Sequence, residues 1–202
     1  MPVDYKIILG VLATVIGFIG YFPYIRDTLK GKTKPHVFSW FLWSLMEAIV
    51  FFAQISEGAG IGAAVTGTAA GITLFIAILA WRSEDKQITP WDWAAFVGAL
   101  IGVVLWRITH DPLLAVIFVS LADALAYAPT YRKAWHRPEE ETLIEYGLSV
   151  VKWAIAIFAL QSLNLTTWLY PATLIFTNTL FVTISLIRKR QLRDKIKLPL
   201  NL

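Results

Sequence analysis

The sequence predicts an all-α integral membrane protein with seven transmembrane helices, arranged as two parallel three-helix repeats joined by one linker helix (3+1+3). Three observations predict this class. The chain is strongly apolar, with 57% hydrophobic and only 16% charged residues over 202 positions, whereas a soluble domain has about 25% charged residues. Apolar segments long enough to cross a bilayer recur along it. The chain also contains an internal duplication, which identifies the repeats.

The apolar segments define the predicted helices. A helix needs about 20 mostly apolar residues to cross the hydrocarbon core, and seven segments meet this requirement: 5–25, 37–56, 60–81, 92–108, 112–131, 143–162 and 167–187. The third is rich in Gly and Ala, but its match to the strongly apolar seventh supports it. The first is longer than the apolar core of a signal peptide and lacks an Ala-x-Ala cleavage site, so we expect it to stay in the mature protein.

The duplication appears when the chain is shifted by 106 positions, which aligns Tyr21 with Tyr127. Without a gap, this shift matches twelve residues to identical partners that run from Tyr127 to Arg188. In the first half these residues are Tyr21, Pro23, Arg26, Leu42, Ile49, Phe52, Ala53, Thr73, Leu74, Phe75, Ile78 and Arg82. A match sustained over this length indicates a repeated structural unit.

A repeated three-helix unit ends on the opposite side of the membrane from where it began. One additional helix is therefore needed if the second unit is to insert in the same orientation as the first. The predicted organisation is a first repeat at 1–83, a linker helix at 84–110, a second repeat at 111–188 and a basic cytoplasmic tail at 189–202.

Basic residues are distributed unequally between the two sides. Of the eighteen Lys and Arg residues, fifteen fall on one side: Arg26, Lys30, Lys32, Lys34, Arg82, Lys86, Arg132, Lys133, Arg137, Arg188, Lys189, Arg190, Arg193, Lys195 and Lys197. Only Lys6 and Arg107 fall on the other, and Lys152 lies within a segment. Because cytoplasmic loops carry the excess of Lys and Arg, we predict a cell-membrane protein with its N-terminus outside and its C-terminus in the cytoplasm. The tail is expected to contact anionic membrane lipids.

Small residues mark two places where helices can approach closely, Gly67-x-x-x-Gly71 and Gly98-x-x-x-Gly102. Such spacings serve packing within one chain or between two copies. Packing within the chain is the favoured interpretation, and a homo-oligomer stays open.

With this topology, the chain resembles the PQ-loop and SWEET-like transporter superfamily over nearly its whole length. The resemblance rests on the 3+1+3 plan, the orientation, and a proline near the cytoplasmic end of the first helix of each repeat, here Pro23 and Pro129. The connector at 25–33 is similar to the basic connector of those families. Where the superfamily's name has Gln after Pro, this chain has Tyr24 and Thr130.

The resemblance implies roles for several residues. Pro23 and Pro129, with Tyr24 and Tyr127 beside them, would form hinges and an inner gate; the alternative is that the prolines only end their helices. Asn178 matches the position of the substrate-binding Asn in the last SWEET-type helix. The implied solute is small and polar, such as a sugar, an amino acid or a vitamin-like compound.

Four polar residues lie deep within predicted helices: Glu47, Asp123, Lys152 and Asn178. Each is 9 to 11 residues from the nearer predicted helix end, which at 1.5 Å per residue is about 13–17 Å deep, near the midplane. Charged side chains at that depth are usually paired or functional. None has a polar counterpart in the other repeat: their partners are Trp153, Gly17, Met46 and Ile72. Polar groups that occur in only one of the two repeats fit an asymmetric ligand site better than they fit symmetric packing.

We therefore predict a substrate site formed by Trp40, Trp43, Glu47, Asp123, Lys152 and Asn178. Helical spacing places Trp40, Trp43 and Glu47 on one face of the second helix. Asp123 and Glu47 are the candidates for a coupling proton. The alternatives are a static Glu47–Lys152 ion pair, a structural role for Asp123, helix-to-helix hydrogen bonding by Asn178, and an inner gate closed by the two tryptophans.

The sequence also argues against other classes. It contains no cysteine, its three histidines share no metal-ligand spacing, and no nucleophile–base pair or phosphate loop is present. We expect no enzyme, no metal, no cofactor and no nucleic-acid partner. The predicted function is transport of a small polar solute by alternating access, with proton coupling as an option. The main alternative is a non-transporting membrane receptor. A retinal-type photoreceptor is disfavoured because the buried Lys lies in the sixth helix.

Overall fold

A computed structural model describes residues 4–81 and 88–197 of the chain. Its regular structure consists of α-helices and one short 3-10 turn at 138–140, and no strand occurs among the described residues. The helices are α1 (Tyr5–Leu29), α2 (Val37–Ser56), α3 (Ile61–Ala80), α4 (Pro90–Thr109), α5 (Pro112–His136), α6 (Leu143–Ala159) and α7 (Leu165–Lys197). The predicted all-α class is confirmed.

Polar residues between the apolar segments set where several helices begin. The carboxylates of Asp4 and Asp111 each accept a hydrogen bond from the backbone N–H two residues on, at 3.0 and 2.9 Å. Thr89 and Asp92 form a capping box at the start of α4, in which each side chain accepts from the other residue's backbone N–H. These bonds satisfy donors that the first helical turn leaves without a partner.

The bundle has the outward surface of a membrane-embedded protein. Within the described residues, α1 to α5 and α7 are long and apolar enough to cross a membrane, while α6 has 17 residues. Large apolar side chains point outward; Phe22 and Phe158, for example, are 69% and 70% exposed. Apolar surface on this scale is stable in lipid but would favour aggregation in water.

The helices α1 to α3 are here called the first set and α5 to α7 the second set, and their packing can be compared. α3 packs against both α1 and α2, and α7 packs against both α5 and α6. The sets meet mainly where α1 packs along α6 and α2 packs along α5. The helix α4 lies to one side, chiefly against α5. The buried core, and the candidate site within it, therefore lie between the two sets.

The glycine spacings are used mostly for packing inside the chain. A side chain at Gly102 would meet Phe118 and the backbone of Ala115 on α5, and one at Gly67 would meet the ring of Phe51 on α2. At Gly71 no atom lies within 4 Å of the place a Cβ would occupy. Close approach of helices thus explains the glycines at which α4 packs on α5 and α3 packs on α2. It does not explain Gly71.

Several helix ends differ from their predictions. α1 ends at Leu29 instead of residue 25, α5 at His136 instead of 131, and α7 at Lys197 instead of 187. Hydropathy detects only the apolar part of a helix, whereas Lys, Arg and Gln are good helix formers and cations are favourable near a helix C-terminus. The shorter α6 ends at Ala159 instead of 162, because Leu160 has extended backbone.

The prolines do not end their helices. Pro23 lies inside α1, and α5 likewise continues past position 129, so the alternative that these residues only terminate helices is wrong. A proline inside a helix removes one backbone hydrogen bond. Of the predicted basic loop and tail, Arg82, Lys86 and residues 198–202 lie outside the described residues.

Candidate functional site

A small cavity, here called the central cavity, lies where the two three-helix sets meet. It has about 20 Å³ of space for the centre of a water molecule, which is room for about one water. Side chains from α1, α2, α3, α5, α6 and α7 line it. Both sets therefore contribute to one enclosed space, as the predicted site requires, and α4 supplies none of the lining residues.

Two carboxylates face the central cavity from opposite sets. Glu47 of α2 is 3% exposed and Glu145 of α6 is 4% exposed. Thr73 Oγ1 donates to Glu47 Oε2 at 2.8 Å, and Ser149 Oγ donates to Glu145 Oε1 at 2.8 Å. The second oxygen of each carboxylate has no hydrogen-bond partner within the parts of the chain that the structure describes. Each set thus presents one half-satisfied carboxylate to the cavity.

Asn178 lines the same cavity from α7. Its Nδ2 donates to the carbonyl oxygen of Leu174, one turn earlier in the same helix, at 2.7 Å. The predicted alternative for this residue was a hydrogen bond between helices, but this bond lies within one helix. The carboxamide oxygen has no partner among the described side chains and is left for the cavity.

Aromatic rings form most of the remaining wall. They are Tyr21, Trp40, Trp43, Tyr127, Tyr146, Trp153 and Tyr170. The rings of Trp40 and Trp43 are 5.1 Å apart between centroids, and that of Trp43 is 4.9 Å from that of Tyr127. The two predicted tryptophans therefore belong to a continuous ring cluster that lines the cavity.

Lys152 lies behind this aromatic wall. Its Nζ donates to Tyr21 Oη at 3.0 Å and lies 4.3 Å from the ring centroid of Trp153. Its stem packs on Gly17, where an added Cβ would come within 3.0 Å of the lysine Cδ. No ion pair of 4.0 Å or less joins Lys152 to an acidic side chain in the described ranges. The alternative of a static Glu47–Lys152 pair is therefore not what the structure contains.

Asp123 is also behind the wall. It is fully buried on α5, and Tyr170 Oη donates to its Oδ1 at 3.4 Å. Its Oδ2 has no partner within residues 4–81 and 88–197. Because Tyr170 lines the cavity and Asp123 does not, Asp123 reaches the cavity through the tyrosine hydroxyl instead of by direct contact.

One end of the bundle, here called the basic end, holds the loops at 30–36 and 137–142. There Lys133 Nζ forms an ion pair with Glu141 Oε1 at 2.8 Å and also donates to the carbonyl of Lys34. Tyr24 and Tyr146 donate to Glu141 Oε2 at 3.2 and 3.4 Å. This basic-end cluster joins α1 and its following loop to α5 and α6, so it ties the two sets together.

Tyr24 connects this cluster to the cavity wall. The indole N–H of Trp40 donates to Tyr24 Oη at 3.2 Å, and the two rings are 4.7 Å apart. The predicted gate residues Tyr24 and Tyr127 are both buried. Tyr24 lies between the basic end and the cavity wall, and Tyr127 is part of that wall.

The opposite end is bridged as well. Lys6 Nζ donates to the carbonyl of Leu160 at 2.8 Å, and Gln54 Nε2 donates to the carbonyl of Thr167 at 2.8 Å. Each of these bonds joins a helix of the first set to the second. The cavity therefore lies between two ends at which hydrogen bonds join the two sets.

Glu145 was not among the predicted site residues, although it is one of the two carboxylates in the cavity. This residue is only three positions inside the predicted sixth helix, and depth was the criterion used. A signal was present: Glu145, Ser149 and Lys152 are spaced i, i+4 and i+7 on one face. Extending that face by one turn would have found the second carboxylate.

Within the described residues, no group of three or more His, Asp or Glu side chains is arranged to hold a metal ion. No family model, no curated protein and no solved structure matches this chain. The function of this chain is therefore inferred from the geometry of the central cavity.

Proposed function

We propose that this protein is a membrane transporter of a small polar solute, which it carries by alternating access around the central cavity. One observation carries the proposal: a buried polar cavity lies at the junction of two three-helix sets, and at both ends hydrogen bonds join those sets. In transporters built from repeats, substrate sites lie near the membrane midplane at the repeat interface.

Helix bounds support a 3+1+3 plan. Shifting α1 and α2 by 106 positions gives 111–135 and 143–162, against the observed α5 at 112–136 and α6 at 143–159. The packing is also equivalent after the shift, because α1 with α6 corresponds to α5 with α2, and α2 with α3 corresponds to α6 with α7. The helix α4, which has no counterpart, is the additional helix this plan needs.

The same plan supports membership of the PQ-loop and SWEET-like superfamily as part of the proposal. In that plan the basic end faces the cytoplasm of the cell membrane. Pro23 lies one residue before Tyr24 in α1, close to the contacts that must break if the basic end opens. A helix that lacks one backbone hydrogen bond there is easier to bend.

As a mechanism, the two sets rock against each other. Opening the basic end breaks the bond of Tyr24 with Glu141 and that of Lys133 with the carbonyl of Lys34, whereas opening the other end breaks those made by Lys6 and Gln54. Glu47, Glu145 and Asn178 hold the solute between these events, and the aromatic rings exclude water from it. Glu47, or Asp123 acting through Tyr170, carries a coupling proton in the proton-driven form of this cycle.

Reconstitution of the full chain in liposomes tests the proposal. Uptake of labelled glucose, alanine and pyridoxamine would be measured with and without a proton gradient. We expect saturable flux of one solute, reduced at least about 10-fold by Glu47→Gln because a site carboxylate is lost. The exposed loop variant Glu139→Gln makes the same chemical change outside the site and should leave flux unaltered. Specific binding without flux would contradict transport and favour the receptor.

A further inference from the structure

The central cavity has more negative than positive groups around it. Glu47 and Glu145 line it, Asp123 contacts the lining residue Tyr170, and the nearest buried cation is Lys152. All four are at least 96% buried. In a membrane interior such groups need a proton, an ion partner or a ligand to compensate them.

Lys152 compensates this excess only in part. In the described residues its side-chain nitrogen contacts neither Glu47 nor Glu145 and donates to Tyr21 Oη instead. At the basic end, by contrast, Lys133 directly contacts Glu141. Two carboxylates at the cavity are thus left without a contacting cation.

The unpartnered atoms in the cavity are mainly acceptors. One oxygen each of Glu47, Glu145 and Asn178 lacks a hydrogen-bond partner within the described ranges, and all three residues are more than nine-tenths buried and line the cavity. The neighbouring donors, Thr73 and Ser149, are already used on the two carboxylates. A ligand that satisfies these oxygens must donate hydrogen bonds. The indole N–H of Trp43 is also without a partner and would meet an acceptor on the ligand.

The aromatic wall is suited to a positive charge as well. Cations are attracted to the faces of Trp and Tyr rings at up to about 6 Å from the centroid. Within this structure the ammonium of Lys152 already lies 4.8 Å from the Tyr21 ring and 4.3 Å from the Trp153 ring. Both rings line the central cavity, so the same wall is available to a cation on its other side.

We infer that the solute of the central cavity is a small organic cation bound through a primary ammonium group. This rests on the proposed function and specifies its substrate class. A primary ammonium supplies three N–H donors to three free acceptors and a positive charge to two carboxylates and several rings. The space of about 20 Å³ holds about one water, and an ammonium group is of similar size. The remainder of the solute requires the two sets to separate.

The test compares compounds of one shape and different charge on the purified full-length protein. One set is ethanolamine, glycine, ethylene glycol and glycolate; a second is phenethylamine, phenylalanine, phenethyl alcohol and phenylacetate. Binding is measured by thermal stabilisation and by isothermal titration at constant ionic strength. We expect the amine of at least one set to bind at least about 10-fold more tightly than its zwitterionic, neutral and anionic counterparts, because only the amine carries a positive charge without a carboxylate that the site would repel.

Variants locate the site. Glu47→Gln and Glu145→Gln should each weaken amine binding about 10-fold, while Glu139→Gln should not change it. Circular dichroism and gel filtration check that each variant is folded. If one of the two variants fails to fold, the other still shows whether a cavity carboxylate contributes to amine binding.

Equal or tighter binding of the neutral or zwitterionic compound would overturn the cation inference and leave the transport proposal intact. Failure of both amines to bind the folded protein would overturn it too. Amine binding without flux into liposomes would support the inference and contradict transport, so the two failures are distinguishable.

Discussion

The basic-end cluster and the central cavity contain similar residues in different states of satisfaction. At the basic end, Glu141 has a contacting lysine and two tyrosine donors. In the cavity, Glu47 and Glu145 have one hydroxyl donor each, and Lys152 contacts neither. The paired Glu141 accepts from Tyr24 and so joins the first set to the second, whereas the half-paired Glu47 and Glu145 each keep one oxygen without a partner in the described residues. The difference between the two places separates a satisfied structural contact from the proposed binding site.

The largest effect should come from breaking the satisfied cluster. Lys133→Met leaves Glu141 buried without its cation, and we expect the free energy of unfolding in detergent to fall by about 3–5 kcal/mol. The double variant Lys133→Met/Glu141→Leu should recover most of this loss, because no uncompensated charge is left. A single variant as stable as the unmodified protein would show that the pair does not stabilise the basic end.

Removing the unpaired lysine should cost less. Lys152→Met loses one hydrogen bond to Tyr21 and two ring contacts, for an expected loss of about 1–2 kcal/mol. Binding of phenethylamine or ethanolamine should become tighter, since a repelling charge near the carboxylates is gone. Thermal unfolding and isothermal titration measure the two changes. A loss as large as that of Lys133→Met, with weaker amine binding, would instead indicate that Lys152 neutralises the carboxylates.

A smaller effect is expected from substitution of Tyr24, which connects the basic-end cluster to the wall of the central cavity. Tyr24→Phe removes a hydroxyl that donates to Glu141 and accepts from Trp40. We expect a destabilisation of about 1 kcal/mol, the net value of a buried hydrogen bond. In the transport assay the basic end should open more readily, which labelling of a single cysteine introduced into the 30–36 loop would detect as a faster reaction. An unchanged labelling rate would separate Tyr24 from gating.

The smallest effect on stability should follow Glu47→Gln. The substitution keeps the shape and the bond from Thr73 and removes an uncompensated charge, so the free energy of unfolding should change by less than about 1 kcal/mol. The matched change at the satisfied cluster, Glu141→Gln, removes the contacting anion of Lys133 and should be clearly more destabilising. Similar losses in the two variants would remove the distinction between the clusters.

The sequence predicted the positions of the helices better than it predicted which side of each helix faces the cavity. Apolar length and the shift of 106 located all seven described helices, because both signals span many residues. Asp123 was predicted to line the site, yet the structure places it behind Tyr170, since the position of a residue along a helix says nothing about the rotation of that helix. Glu145 was missed for the converse reason: it faces the cavity from near a helix end. Rotation is set by packing between helices distant in sequence, such as Gly17 against Lys152, which no local pattern contains.

The unequal number of acidic and basic groups around the central cavity has an electrical consequence. A charge that crosses a membrane under 100 mV changes its energy by about 2.3 kcal/mol. If a cation enters the central cavity as proposed, the net charge of the group formed by Glu47, Glu145, Asp123 and Lys152 with the bound cation changes, so the empty and the filled protein would experience different forces from the same voltage. The membrane potential would then favour one direction of the cycle without any gate being sensitive to voltage itself.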